Sequence, residues 1–236
     1  MKPESAKDEG NTEGRQLVIE TQFAKVARTI PLTPLQRAML IGSLLGDATL
    51  LPTTAGFCFR VHHGHRQKAY VDWKYAVLSR YVRTAPRECR NGYYFRTVTH
   101  PEFSRMREQF YQGTSKIVPM QLLIEQFTEH SLAVWLMDDG GADGNQIRLN
   151  TQSFTIIEVE GLQGFLRAKL GLNTSINMDK GKPRLRFTAA STSLLNDMVR
   201  SHIIPSMLYK FAPVTTSRQR AGNGRAAPTG ANLSRS

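Results

Sequence analysis

Leu40-Ile41-Gly42-Ser43-Leu44-Leu45-Gly46-Asp47-Ala48 is an apolar run that ends in an acid, and it has a counterpart late in the chain, Leu132-Ala133-Val134-Trp135-Leu136-Met137-Asp138-Asp139-Gly140. Aligned end to end, the two nonamers set Asp47 opposite Asp139, Gly46 opposite Asp138 and Gly42 opposite Val134. A carboxylate at the end of an otherwise buried helix is costly unless something uses it. Two such helices in one chain predict a two-fold arrangement with an acid from each half near its axis.

Working outward, Thr33-Pro34 opens the first helix. Threonine is a good N-cap, and proline at N1 loses only an N–H that has no helical partner there. Each glycine inside a helix costs about 1 kcal/mol relative to alanine. Gly42-x-x-x-Gly46 therefore predicts a face that another helix backbone approaches closely. Past Asp47, Thr49 to Leu51, a Pro52 to Gly56 turn and Phe57 to His62 read as a hairpin. Its second strand alternates, with Cys58, Arg60 and His62 on one face and Phe57, Phe59 and Val61 on the other. Gln67 to Tyr81 has helical periodicity through Ala69, Tyr70, Trp73, Ala76, Val77 and Tyr81. Asn91-Gly92 turns a second hairpin, and Pro101 to Tyr111 is another helix.

The pattern then repeats. A helix carries the second nonamer, and a turn through Asp143-Gly144-Asn145 leads to the strand Ile147 to Thr151. A helix Ile156 to Leu170 follows, then a hairpin of Thr174 to Met178 and Arg184 to Phe187 turning at Lys180-Gly181, and a last helix Ser193 to Ile203. The expected organisation is a flexible arm over 1–30, an N-terminal half over 31–112, a linker over 113–119, a C-terminal half over 120–212 and a basic disordered tail over 213–236.

The totals narrow the partner. The chain has 236 residues and a formal net charge of +12, with a pI near 10.0. Such an excess points to a polyanion, nucleic acid before a membrane surface. No apolar run reaches the roughly 18–20 residues of a membrane span. The first residues lack the apolar core of a secretory signal, and their acids argue against a transit peptide, so an intracellular protein is expected. Cys58 and Cys89 form neither a disulfide framework nor a zinc cluster. His62-His63-Gly64-His65 invites a metal reading, but no further Cys or His completes a zinc site, and a basic DNA-facing loop is the expectation. Arg60, Arg96, Arg148, Lys180, Lys182, Arg184 and Arg186 lie on or beside predicted strands, where arginine suits bidentate contacts to guanine.

The nonamers resemble the paired motifs of the LAGLIDADG homing endonucleases, in their single-chain, two-motif, group I intron-encoded branch. The Trp135-x-Met137-Asp138-Asp139-Gly140-Gly141 form, Leu149 to Phe154, Lys116 to Pro119 and Ile203-Ile204-Pro205-x-Met207-x-Tyr209-Lys210 carry the likeness further. It spans about residues 35 to 212. The resemblance implies an α+β, pseudo-two-fold duplicated αββαββα fold, with two antiparallel DNA-binding sheets around a central pair of motif helices. It implies that Asp47 and Asp139 bind divalent metal at the scissile phosphates. It further implies that the backbone positions Gly46 and Asp138 are secondary metal contacts and that Lys116 and Lys210 flank the sites. Asn150 and Gln152 are expected near the second site, and His62 joins the DNA-facing set.

Carboxylate oxygens suit Mg²⁺, with Mn²⁺ able to substitute. The expectation is a monomeric endonuclease that hydrolyses double-stranded DNA at a long asymmetric site and promotes intron mobility. The alternative is a maturase acting on intron RNA. An organellar location follows if the host intron is organellar.

Overall fold

The structure is a computed structural model and describes residues 21–211. Residues 1–20 and the tail 212–236 lie outside the described residues. Packing divides the chain into two compact units, one up to Asp138 and one from Asp139.

The first unit carries α1 (Gln22–Thr29), α2 (Pro34–Leu45), β1 (Thr49–Thr53), β2 (Gly56–His63), α3 (Lys68–Leu78), β3 (Arg87–Cys89), β4 (Gly92–Arg96), α4 (Pro101–Phe110), β5 (Tyr111–Gln112), β6 (Ser115–Lys116), α5 (Met120–Gln126) and α6 (Glu129–Asp139) as far as Asp138. Its main sheet is antiparallel in the order β1-β2-β4-β3. Pro52 has no N–H to donate, and β1 is an edge strand, where that loss is tolerated. Thr33 caps α2 with a capping box: its hydroxyl accepts from Gln36 N–H at 3.2 Å, and the Gln36 side chain accepts from Thr33 N–H at 2.9 Å. The core joins α2, one face of the sheet, α3, α4 and α6 through Leu40, Ile41, Phe59, Val61, Tyr70, Phe103 and Trp135, all fully buried.

The second unit carries β7 (Gly140–Asp143), β8 (Gln146–Leu149), α7 (Ile156–Leu170), β9 (Thr174–Asp179), β10 (Lys182–Phe187) and α8 (Ala189–Val199). Its sheet order is β7-β8-β10-β9, which matches the first. Read from each motif helix, both repeats therefore run αββαββα, the expected duplicated α+β fold. Thr155 and Glu158 form the capping box of α7, and Gly171 ends it in the left-handed conformation. The β9–β10 turn places both Lys180 and Gly181 at positive φ, the geometry of a type I′ hairpin.

The structure differs from the expectations in four places. Residues 22–29, assigned to a flexible arm, form α1, with Thr21 as cap and Ala27 buried. Arg28 holds this helix to the unit by donating to Thr99 Oγ1. The linker 113–119 contains the β5–β6 hairpin, so Lys116 sits on a paired strand. Helix α5 and strand β7 are additional elements; β7 is glycine-rich, which weakens any strand signal. Finally, α3 buries Tyr70, Val71, Lys74 and Leu78, while Ala69 and Ala76 are exposed. The stripe turns because a charged residue, Lys74, faces the interior.

Candidate active site

Helix α2 ends where Gly46 N–H donates to Gly42 O at 3.2 Å and Ala48 N–H donates to Ser43 O at 2.9 Å. Asp47 lies just beyond, its side chain 48% exposed. The motif glycines bring α6 against α2. A Cβ at Gly42 would stand 2.3 Å from Ser131 O, and one at Gly46 would stand 2.5 Å from Asp138 Cβ. Both are closer than any side chain permits, so only glycine allows this approach.

Acids at a helix C-terminus face the negative end of its dipole. Asp47 follows the end of α2, and Asp138 and Asp139 close α6, so all three need positive charge nearby. The first unit supplies it from three directions. Lys116 Nζ donates to Gly46 O at 2.6 Å, satisfying a terminal carbonyl of the motif helix. Lys74 Nζ donates to Asp138 Oδ1 at 2.7 Å, with both side chains 0% exposed. His63 Nδ1 lies 3.6 Å from Asp47 Oδ2, and its Nε2 lies 3.7 Å from Asp138 Oδ1. Burial pushes the Asp138 carboxyl up, but the charges of Lys74 and His63 and the Lys74 hydrogen bond outweigh it, and the group is held below the usual carboxylate range.

Asp47, Gly46, Asp138 and Lys116 are thus brought together in the first unit. In the second, Asp139 is half-buried, and its carbonyl accepts from Asn150 N–H at 3.1 Å. Lys210 sits on the 3₁₀ turn Pro205–Lys210, which packs against β7, the strand that begins one residue after Asp139. Gln152 donates to Asp179 Oδ2 at 2.7 Å.

Each sheet keeps one polar, basic face. On the first, Arg60 pairs across the strands with Arg96, and His62 pairs with Tyr94. The Arg60 guanidinium lies 5.3 Å from the centre of the Tyr94 ring, and Arg87 donates to the Tyr94 hydroxyl at 2.7 Å. On the second, Arg148 pairs with Arg186, and Arg186 Nε lies 3.2 Å from Asp143 Oδ2. Arg184 is ion-paired to Asp179. Lys182 pairs with Asp179 across the hairpin, and Lys180 occupies its turn. The arrangement is duplicated about the two motif acids. Two residues after Asp47, Thr49 pairs with Arg60; two residues after Asp139, Gly141 pairs with Arg148. Like charges placed directly opposite destabilise a sheet. Both sheets nevertheless keep such an arginine pair at the corresponding position, and the Nε atoms of Arg60 and Arg148 are buried without a hydrogen-bond partner.

Residues to which the sequence assigned no place beside the motif acids complete the picture. His63 is not in a DNA-facing loop: strand β2 extends through it, and the alternation carries it to the buried side. Lys74 carried a signal, since it stands four residues from both Tyr70 and Leu78 on the core face of α3. Asp143 and Asp179 temper the basic face of the second sheet, and only strand register reveals this.

Comparison with known proteins agrees with the geometry. A model described as the LAGLIDADG DNA endonuclease family matches residues 37–195. A probable intron-encoded endonuclease 1 of Wickerhamomyces canadensis is 31% identical over 196 residues, covering 76% of this chain and 85% of that protein. The cytochrome b mRNA maturase bI2 of Debaryomyces hansenii is 29% identical, with 77% of this chain and 75% of that protein covered. The chain spans about half the length of the RecA proteins it also matches, 49% in Mycolicibacterium chitae and 52% in Mycolicibacterium fallax. Among solved structures, the homing endonuclease I-WcaI bound to its DNA recognition sequence superposes with a TM-score of 0.75 at 29% identity, covering 83% of this chain and 95% of that one. With a family model matched over most of its length, the chain belongs to the LAGLIDADG DNA endonuclease family.

Proposed function

We propose that the chain is a monomeric homing endonuclease that cuts both strands of duplex DNA at a long asymmetric site. The carrying observation is the duplication: a motif-helix acid in each repeat, and an arginine pair at the same strand register beyond it. Asp47 serves one strand and Asp139 the other.

The oxygen donors fit a hard divalent cation, Mg²⁺ or in its place Mn²⁺. Asp47 presents an exposed carboxylate, while the Asp138 carboxylate is already held by Lys74. Asp47 and Asp139 would hold the ions, with the backbone at Gly46 and Asp138 as secondary contacts. When bound, such an ion polarises the phosphate and eases ionisation of water. Lys116 and Lys210 stand to stabilise charge developing on the phosphate. The sheet faces grip the duplex, with Arg60, Arg96, Arg148 and Arg186 at their centres and His62, Asn150, Gln152, Lys180, Lys182 and Arg184 around them. Cutting an intron-less allele would promote intron mobility. Among the described residues, no helix is long and apolar enough to cross a membrane.

The test is Mg²⁺-dependent cleavage of a DNA library spanning the intron-less insertion site. Asp47→Asn and Asp139→Asn should each abolish double-strand cleavage while leaving DNA binding intact. Retained cleavage in either variant refutes the assignment. A second reading, an RNA splicing cofactor, is favoured by the likeness to a maturase. Splicing of the host intron that depends on the protein, with no DNA cleavage, would select it.

A further inference from the structure

Asp138 stands opposite Gly46 in the nonamer alignment, so the second motif carries an acid that the first lacks. One ligand atom each from Asp47, His63 and Asp138 lie within 4.8 Å of one another, a spacing that suits a metal ion. An ammonium already touches two of the three residues. Lys74 Nζ is 2.7 Å from Asp138 Oδ1 and 3.4 Å from His63 Nε2. The cluster takes its positive charge from the chain itself.

The other side of the cluster faces Asp47. Asp138 Oδ2 accepts the Asp47 N–H at 3.3 Å, and His63 Nδ1 stands 3.6 Å from the Asp47 carboxylate. One group therefore touches the backbone of Asp47 and another touches its side chain. The supporting side chains of His63, Asp138 and Lys74 are 3%, 0% and 0% exposed, beneath an Asp47 side chain that is 48% exposed. Such a base fixes the direction of an exposed acid far better than solvent does. Tyr70 completes it from below, with Lys74 Nζ 4.3 Å from its ring centre and its hydroxyl donating to Val134 O at 3.2 Å. The second motif acid lacks this device through Asp138's counterpart, because that counterpart is Gly46 and has no side chain.

We propose that His63, Lys74 and the Asp138 carboxylate are positioning residues for Asp47, a support that Gly46 has no carboxylate to repeat for Asp139, so that the two cleavage events depend unequally on them. This rests on the endonuclease reading above. A misplacement of about 1 Å at a reacting centre costs on the order of 100-fold in rate. Perturbing the group should therefore slow one strand and largely spare the other.

The experiment uses the full chain and a duplex target labelled separately on each strand, with Mg²⁺. The variants are His63→Ala, Asp138→Asn and Lys74→Met/Asp138→Asn, the last removing both charges so that neither is left buried alone. All three should slow the same strand at least about tenfold more than the other, giving nicked product, with DNA affinity unchanged. His63→Gln, which keeps a polar side chain at this position, should recover part of the loss. In the protein without DNA or metal, hydrogen exchange at the Asp47 amide should accelerate in Asp138→Asn. Equal slowing of both strands, slowing of different strands by different variants, or an unchanged Asp47 amide overturns the proposal. If the unaltered chain cuts neither strand, the endonuclease reading falls with it; if it cuts both and the variants stay balanced, only this inference falls.

Discussion

Replacing Lys74 with methionine removes the ammonium paired with the Asp138 carboxylate. The two charged groups are 2.7 Å apart and 0% exposed. Methionine keeps most of the length and apolar stem of lysine, so packing is nearly conserved and charge is the main change. Breaking a buried pair by removing one partner costs about 3–5 kcal/mol, because the remaining charge loses its ammonium partner and no bulk water replaces it. That is about 100- to 4,000-fold in the folding equilibrium. For a chain of this size each kcal/mol moves the melting temperature by about 2–4 °C, so Lys74→Met should melt about 6–20 °C lower. Loss of the Lys74 contact to the Tyr70 ring adds in the same direction. Lys74→Met/Asp138→Asn should recover most of the difference, since it removes the second charge as well. Urea unfolding of the original, both single variants and the double variant completes a double-mutant cycle. A loss below about 1 kcal/mol for Lys74→Met, the range of exposed pairs, would refute the reasoning.

The close approach of α6 to α2 predicts that Gly42→Ala, whose Cβ would meet Ser131 O at 2.3 Å, destabilises by about 1–3 kcal/mol, measurable by thermal unfolding. Acid should weaken the first unit in two steps. His100 caps α4 by accepting Glu102 N–H at its Nδ1, while its Nε2 faces Ile30 O at 3.0 Å, an arrangement that requires the neutral ring. Burial lowers its pKa, so its contribution is present above the unfolded value of about 6.5 and is lost as pH falls through the lower folded value. Asparagine also caps helices, so His100→Asn should flatten this part of a stability-versus-pH curve. Burial pushes Glu102 up, but Arg37 and Arg105 outweigh it and hold it low. Its contribution is present above about pH 4.3 and fades below, and Arg37→Met should diminish that step. On the DNA-facing side, Arg60→Ala and Arg148→Ala should each weaken target binding by about 1–3 kcal/mol, and titrations at several salt concentrations separate base reading from phosphate contact by whether the salt slope drops by about 1.

The parts of the fold that were legible in the sequence are those governed by local chemistry. Thr33-Pro34 and Gly46 bracket α2 because capping and chain reversal are decided within a few residues. Lys180-Gly181 turns its hairpin for the same reason, whereas the hairpin expected at Asn91-Gly92 turns one residue earlier, at Arg90-Asn91, with Gly92 already paired to Cys89. Helix α7 spans Ile156–Leu170 because an uninterrupted apolar period lies between a capping box and a glycine. Where those signals thin out, expectation and structure part. The Ser115–Lys116 strand is two residues long and β7 is half glycine, so neither has a hydrophobic alternation to read.

The duplicated motif, its acids and the basic excess were properties of the sequence alone, because they depend on residue identity and spacing. What surrounds Asp47 was not. Lys74 and Asp138 stand 64 residues apart in the sequence, and only the packing of α3 and α6 brings their charges to 2.7 Å. His63 turns inward because β2 runs one residue further than its apolar pattern suggests, and in a strand one residue exchanges the faces. The pairing of Arg60 with Arg96 and of Arg148 with Arg186 likewise follows from strand register. Charge is written in the sequence residue by residue, but which charges neutralise one another depends on distance and on exclusion of water, and those exist only once the chain has folded.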